Sequence, residues 1–135
     1  MKRLAALLIS LLMFFSGLFG CKSLANTSWE LTAWSVSAHN PQDYTFTLAF
    51  DTKTFSGQSA VNSYGGQYTA FKDGRLIISG IYSTEMAGTP EAMATETVYF
   101  ELLNSAKRYK LVEDTLTLLD ANGNELLIFT RSPQT

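Results

Sequence analysis

The sequence predicts an α+β fold, in which about eight antiparallel strands form a small closed or nearly closed β-barrel with one α-helix at about residues 90–107. Three features of the sequence lead to this prediction. Short segments rich in strand-forming residues alternate with tight turns, one segment has a strict two-residue periodicity, and one longer segment carries helix signals. A chain of 135 residues also has the length of a single domain, because domains of about 100–200 residues are typical.

The predicted strands are defined by alternation and by turn residues. Residues 44–51 place four large apolar side chains on one face and smaller ones on the other. Asp73-Gly74 and Asn122-Gly123 indicate tight turns, because these residues tolerate the positive φ that hairpin turns require. The eight predicted strands are residues 29–36, 44–51, 54–59, 67–71, 75–79, 108–113, 115–120 and 125–130.

The predicted helix begins at Thr89-Pro90. Threonine is a good N-cap, and proline at the first helical position loses no hydrogen bond, because that N–H has no partner within a helix. From Glu91 to about Lys107 the residues favour a helix with an apolar stripe along one side. We expect this stripe to pack on the sheet or to plug one end of the barrel. Its members are Ala92, Val98, Tyr99, Leu102, Leu103 and Ala106.

Residues 1–20 have the layout of a secretory signal peptide. Lys2 and Arg3 form a short basic start, residues 4–19 carry no charge, and a small residue precedes Cys21. The uncharged stretch of sixteen residues is shorter than the apolar run of about 20 that a membrane-spanning helix requires. We therefore expect a signal peptide here rather than an uncleaved anchor helix.

Residues 18–21 (LFGC) resemble the lipobox of bacterial lipoproteins, in which the cysteine is acylated and becomes the mature N-terminus. The resemblance implies that Cys21 is lipidated and that residues 21–26 form a lipidated tether. Acyl chains contribute about 0.8 kcal/mol per buried CH₂ group, so two or three of them hold a protein firmly in a membrane. Because Lys22 rather than aspartate follows the cysteine, the resemblance implies a protein that is lipid-anchored in the outer membrane and faces the periplasm.

Charge and composition exclude several classes of function. The chain has 10 Lys and Arg against 12 Asp and Glu, so it lacks the basic surplus that neutralises nucleic-acid phosphates. One Cys and one His cannot supply the set of about four ligands that a structural zinc ion needs. We therefore expect no nucleic-acid partner, no metal and no cofactor. We also assign no catalytic residue. A serine nucleophile needs a base, which is usually a histidine. The sole histidine, His39, lies in a turn-like segment, where we expect it to be exposed.

Several segments in a fixed order resemble the META/HslJ-like family of bacterial envelope proteins. They are Trp29-Glu30-Leu31, residues 60–68 (AVNSYGGQY), and residues 84–88 (TEMAG) followed by 90–96 (PEAMATE). The resemblance covers roughly residues 27–131, which we take as the folded domain. It implies an envelope or stress-related role, with links to heat shock and drug tolerance.

Two cysteines that the family pattern often carries are replaced in this chain by Val61 and Gly88. The resemblance implies that these two positions are those of a lost disulfide. Because the Cα atoms of bridged residues lie within about 7 Å of each other, we expect Val61 to lie near Gly88. Apolar contact between them would then replace part of the bridge.

Glu96 lies on the apolar side of the predicted helix. A buried carboxylate is unfavourable unless it reaches solvent or accepts hydrogen bonds. The functional alternatives are a carboxylate that lines a ligand pocket or a general acid with a raised pKa. We favour a structural tie from the helix to the backbone of residues 84–88 or of residues 62–66. The candidate structural or binding residues are Glu96, Asn62, Tyr64, Thr84 and Met86.

Two further features allow both a structural and a functional interpretation. Residues 63–66 are rich in glycine, and we expect a turn between strands rather than a phosphate cradle, because no lysine follows them. Five aromatic residues could form a surface that grips sugar or peptide, but we expect them mainly in the core and at the ends of the barrel. They are Trp29, Trp34, Tyr64, Tyr68 and Tyr82.

These features together predict a non-catalytic lipoprotein that serves as a structural or interaction module, held to the membrane by its lipid and open to an unidentified envelope protein as partner. One alternative is a lipocalin-like carrier of a small apolar ligand, which requires an interior cavity of about 300 Å³ or more. A hydrolase is the other alternative, and it requires a second acid or base beside Glu96.

Overall fold

The structure is a computed structural model and describes residues 23–133, so the predicted signal peptide and the lipidation site Cys21 lie outside the described residues. Within residues 23–133 the fold is α+β, with eight strands and one α-helix. The helix is α1 (Pro90–Ser105). The strands are β1 (Thr27–Trp34), β2 (Thr47–Phe50), β3 (Thr54–Gln58), β4 (Ser63–Ala70), β5 (Leu76–Ser83), β6 (Arg108–Val112), β7 (Thr115–Leu119) and β8 (Glu125–Arg131).

The strands form one antiparallel sheet in the order β5-β4-β3-β2-β1-β8-β7-β6. The sheet curls until its two edge strands meet at a single corner, where Arg75 and Arg108 form an isolated bridge. At this corner the Leu76 N–H donates to the Lys107 carbonyl at 2.9 Å. The edges of β5 and β6 separate beyond the corner, so the barrel is nearly closed but keeps an open seam between these two strands.

The interior of the curled sheet is filled by large side chains. Trp29, Phe46, Tyr99 and Phe129 are fully buried there together with a set of leucines. The ring centroids of Phe46 and Tyr99 lie 4.7 Å apart, so the helix contributes an aromatic ring to the core of the sheet. Aromatic contacts of this kind add to the free energy gained by removing apolar surface from water.

Helix α1 begins where the sequence predicts. The Thr89 side chain accepts a hydrogen bond from Ala92 N–H at 3.1 Å, and Pro90 occupies the first turn. The helix ends at Ser105, before the predicted end, because the next segment joins the sheet: Lys107 N–H donates to the Leu119 carbonyl at 2.8 Å. The buried face of α1 consists of Ala92, Thr95, Glu96, Tyr99 and Leu103.

The prediction of a turn at residues 63–66 is wrong, because these residues begin strand β4 and the turn lies at residues 59–62. The glycines serve close packing instead. A Cβ atom added to Gly65 would lie 2.5 Å from the Tyr82 hydroxyl oxygen, which is closer than real Cβ atoms approach. Glycine inside a strand often marks such a close approach, and a sequence alone does not distinguish it from a turn glycine.

Folded structure begins earlier than the predicted end of the tether at residue 26. Leu24 is only 1% exposed and belongs to the hydrophobic core. The Thr27 hydroxyl donates to the Leu24 carbonyl, and Asn26 N–H donates to the Phe50 carbonyl at 2.8 Å. Two residues, Lys22 and Ser23, therefore separate Cys21 in sequence from Leu24, the first buried side chain among residues 23–133.

Truncation of Leu24 is expected to destabilise the whole domain. Leu24→Ala removes a fully buried side chain and leaves a cavity, which costs about 2–5 kcal/mol of the free energy of unfolding. Met86→Ala is the control, because the Met86 side chain is 63% exposed. Denaturant unfolding followed by circular dichroism measures both variants. Equal stability of the two variants would show that the packed body starts after Leu24.

Candidate functional site

The candidate site lies where the first half of α1 faces the turn of residues 59–62. Glu96 projects from α1 and is 6% exposed. Its Oε1 atom accepts hydrogen bonds from the Ser59 hydroxyl, from Val61 N–H at 3.0 Å and from Asn62 N–H at 2.8 Å. Its Oε2 atom accepts a hydrogen bond from Asn62 Nδ2 at 2.8 Å. Both carboxylate oxygens are therefore bonded to the turn.

Asn62 extends this network to a third segment of the chain. Its Oδ1 atom accepts hydrogen bonds from the Thr84 hydroxyl at 2.8 Å and from Met86 N–H at 2.7 Å. Its Nδ2 atom also donates to the Met86 carbonyl at 3.2 Å. Asn62 is 3% exposed, and a buried amide is stable only when its donors and acceptors are paired. We call the network of Ser59, Asn62, Thr84 and Glu96 with the Val61 and Met86 backbone the turn–helix junction.

The electrostatics of the junction keep Glu96 ionised. Burial raises the pKa of this carboxyl group, but the hydrogen bonds from Ser59, Asn62 and Val61 together outweigh burial and leave the pKa below its ordinary value. Hydrogen bonds to the charged form of a carboxyl group have this effect in general. A general acid at neutral pH needs a raised pKa instead.

Tyr64 lies beside the junction but belongs to the aromatic core. Its hydroxyl donates to the Thr47 carbonyl at 2.6 Å and shares a hydrogen bond with the Tyr99 hydroxyl. Its ring packs edge-on against Tyr99 and Phe100 of α1. Burial, followed by the interaction with Tyr99, raises the pKa of Tyr64 well above its ordinary value. Tyr64 thus links β4 to the helix as a neutral phenol.

The structure brings four of the five candidate residues into the junction and places Tyr64 next to it. Met86 takes part through its backbone alone, since its side chain is exposed. Glu96 contacts the turn directly and reaches residues 84–86 through Asn62. Ser59, which is 2% exposed, is a member of the junction that the sequence does not predict. Its position three residues before Asn62 carries no signal, because serine is common in exposed turns.

Among the five aromatic residues considered for a binding surface, three lie in the core. Trp29, Tyr64 and Tyr68 are buried, and Trp34 is half-buried. Tyr82 is 65% exposed and lies on the outer face of β5. His39, the sole histidine, is exposed in its turn, and its carbonyl accepts a hydrogen bond from Trp34 Nε1 at 3.1 Å.

Val61 and Gly88 lie in direct contact at the edge of the junction. A Cβ atom added to Gly88 would lie 3.5 Å from Val61 Cβ and 2.6 Å from Val61 Cγ2. The Cβ atoms of disulfide-bonded cysteines lie about 3.5–4.5 Å apart. The valine side chain therefore occupies the space that a second side chain at Gly88 would need.

A cleft of about 750 Å³ lies on the exposed face of β3, β4 and β5. Its lining includes Thr54, Gln67, Thr69, Ile77 and Ser79, whose side chains point away from the core on their strands.

Within the described residues, no group of three or more His, Cys, Asp or Glu side chains is arranged to hold a metal ion. No helix in the same part of the chain is long and apolar enough to span a membrane.

The fold and the junction define a small α+β domain in which a curled antiparallel sheet carries a helix tied down by a buried carboxylate. The chain belongs to the META domain family, whose family model matches residues 22–133. This match confirms the resemblance seen in the sequence. No curated protein matches the chain.

Solved structures of similar proteins share the architecture. The NMR structure of a protein from Burkholderia xenovorans has 30% sequence identity and a TM-score of 0.67, and the match covers 82% of this chain and 85% of that one. The crystal structure of a DUF4847 family protein from Bacteroides vulgatus has 19% identity and a TM-score of 0.62, over 83% of this chain and 96% of that one. At 19% identity this second likeness shows the fold alone.

Glu96→Gln is expected to destabilise the protein at neutral pH. The substitution keeps the shape of the side chain but replaces a charged acceptor by a neutral amide, and its NH₂ group then faces N–H donors. The expected loss is about 1–3 kcal/mol of the free energy of unfolding. Glu101→Gln on the same helix is the control, because Glu101 is exposed. Unchanged stability of Glu96→Gln would contradict the structural role of the junction.

The pH dependence of the stability lost in Glu96→Gln shows whether the loss comes from the carboxylate charge or from altered packing. Because the folded-state pKa of Glu96 is lowered, its stabilising contribution is present above the ordinary glutamate pKa of about 4.3 and is lost as the pH falls through the lowered value. The difference in stability between the wild-type protein and Glu96→Gln should therefore shrink in acid. A difference that stays constant from neutral pH into acid would assign the loss to packing.

A disulfide is expected to form between Val61→Cys and Gly88→Cys in a double variant. The Cβ geometry permits the bond, and Val61→Cys removes the branched side chain that a Cβ at Gly88 would touch. A bridge that closes a loop of about 27 residues should raise the free energy of unfolding by about 3–4 kcal/mol. Thermal unfolding with and without a reductant measures the gain. Two free thiols after oxidation would show that the positions cannot be bridged.

Proposed function

We propose that the protein is a non-catalytic lipoprotein of the outer membrane, anchored through Cys21 and facing the periplasm. Its META domain serves as a structural or interaction module of the cell envelope. The proposal has two parts, the anchor and the role of the folded domain, and different observations support each part.

The turn–helix junction is the observation that carries the non-catalytic role. Glu96 was the candidate acid in the sequence, and both of its oxygens accept hydrogen bonds from the turn of residues 59–62. Its lowered pKa suits a permanent anion rather than a group that exchanges protons during a reaction. These properties favour a structural carboxylate over the hydrolase alternative.

The filled interior favours a module over a lipocalin-like carrier. The space inside the curled sheet is taken by Trp29, Phe46, Tyr99 and Phe129, each with essentially no exposure. The cleft of about 750 Å³ is lined mainly by side chains on the opposite, exposed face of the strands, with Tyr68 and Ala70 as the buried and half-buried exceptions. A carrier of the lipocalin type encloses its ligand inside the barrel, so this arrangement supports the module.

The leader and the start of the fold support the anchor. A basic start, an uncharged stretch and the LFGC tetrapeptide precede Cys21. The buried side chain of Leu24 follows the cysteine closely in sequence, so an acylated Cys21 would hold the domain against the bilayer. The stress-related role is carried over from the META/HslJ-like resemblance, and an unidentified envelope protein as partner follows from the proposed role as an interaction module.

Mass spectrometry of the full-length product tests the anchor. When the gene is expressed in a Gram-negative host, we expect a protein that lacks residues 1–20, carries a lipid on Cys21 and fractionates with the outer membrane. Cys21→Ser removes the acceptor thiol and should yield an unacylated protein that leaves this fraction. An unmodified wild-type chain that still carries its leader would overturn the proposal.

A further inference from the structure

The exposed cleft on β3, β4 and β5 opens at the end of the sheet where the chain enters the fold. Ser23, the first described residue, lines this cleft together with residues of the β2–β3 turn. Two of the lining side chains determine its chemistry: the cation Lys53 and the apolar Ile77, which is 55% exposed. The other lining residues named above carry hydroxyl or amide groups.

The short link to Cys21 limits how far this cleft can lie from a membrane. Three residue steps separate Cys21 from the buried Leu24, and an extended chain spans at most about 3.3–3.6 Å per step, or about 10 Å in all. The polar layer on each side of a bilayer is about 5–8 Å thick. With its lipid inserted at Cys21, the chain therefore brings the Ser23 end of the domain to the headgroup layer.

The charge of the cleft matches a phosphate group. Lys53 is the charged side chain among the described residues that line it. The nearest acid in sequence, Asp51, is not part of this lining, and its carboxylate accepts a hydrogen bond from Thr52 N–H at 2.9 Å. The Lys53 carbonyl accepts a hydrogen bond from Tyr68 N–H at 3.0 Å. This bond holds the backbone of Lys53 against β4.

We propose that this cleft is a membrane-docking site that takes the headgroup of a phospholipid from the bilayer that holds the anchor. Lys53 pairs with the headgroup phosphate, the hydroxyl and amide groups bind its polar oxygens, and Ile77 contacts the apolar boundary below it. This inference rests on the proposed anchoring at Cys21. It adds a fixed orientation of the domain, with the β3–β5 face turned to the membrane.

Strand β5 provides a matched pair of positions for a test. Ile77 and Tyr82 lie on the same strand and are similarly exposed, at 55% and 65%. Five residues of a strand span about 16 Å. Tyr82 lines a neighbouring cleft, which shares Thr54 and Gln67 with the first cleft but does not include Ser23 or Lys53, so it lies toward the other end of the strand.

The experiment uses the full-length chain with the photo-crosslinking amino acid benzoylphenylalanine at position 77 or at position 82. The acylated proteins are purified and reconstituted into vesicles of phosphatidylethanolamine and phosphatidylglycerol. Mass spectrometry after irradiation measures the share of protein bonded to lipid. We expect the lipid adduct to form at position 77 in several-fold higher yield than at position 82.

A charge-reversal variant tests the phosphate contact. Lys53→Glu in the position-77 protein should lower the adduct yield about fivefold, which corresponds to about 1 kcal/mol for one lysine near an anionic surface. Lys107→Glu makes the same change of charge at an exposed residue outside the cleft, and it should leave the yield unchanged. In vesicles of digalactosyldiacylglycerol, which has no phosphate, Lys53→Glu should have no effect.

The outcomes separate this inference from the proposed anchoring. Equal adduct yields at positions 77 and 82 in acylated, vesicle-bound protein would overturn the orientation and leave the anchor intact. The same yield for Lys53→Glu and Lys107→Glu would overturn the phosphate contact. A chain that carries no lipid and does not float with the vesicles would overturn both the anchor and the inference.

Discussion

The hydrogen bonds between Glu96 and the turn of residues 59–62 are the constraint on which the rest of the domain depends. A carboxylate with 6% exposure is unstable without partners, and in this domain all of its partners come from one turn and one amide side chain. The position of the turn therefore determines where the helix lies on the sheet. Once the helix is placed, Tyr99 enters the core against Phe46, and the interior is filled.

Periodicity and capping residues were sufficient to predict most of the architecture. The alternation around Leu48 and the cap at Thr89 identified a strand and a helix start, because each is a local property of a few adjacent residues. The role of Gly65 and the burial of Leu24 were not predictable in this way. The first depends on the Tyr82 side chain of the paired strand β5, and the second depends on the packing of the assembled core. The role of Ser59 was not predictable either, because its hydroxyl also bonds to the Asn62 backbone within the turn, and its bond to Glu96 exists only once the helix is in place.

Val61 takes part both in the hydrogen-bond network and in the apolar contact that join the 59–62 turn to the 84–88 segment. Its backbone N–H donates to Glu96, and its side chain contacts Gly88. At Val61 and Gly88 the family pattern often carries cysteines, which could join the 59–62 turn to the 84–88 segment covalently. In this chain the polar network and an apolar contact join the same two segments. Their attachment is therefore independent of thiol oxidation.

The central place of β1 in the sheet has a consequence for how the chain acquires its structure. Trp29 pairs with Leu48 on one side and with Arg131 on the other, so the first strand needs a neighbour from the very end of the sequence. Contacts between such distant residues form late, because closing a long loop is entropically unfavourable. During synthesis the domain must remain incomplete until its final strand has emerged. A protein truncated before β8 would expose one whole edge of its first strand.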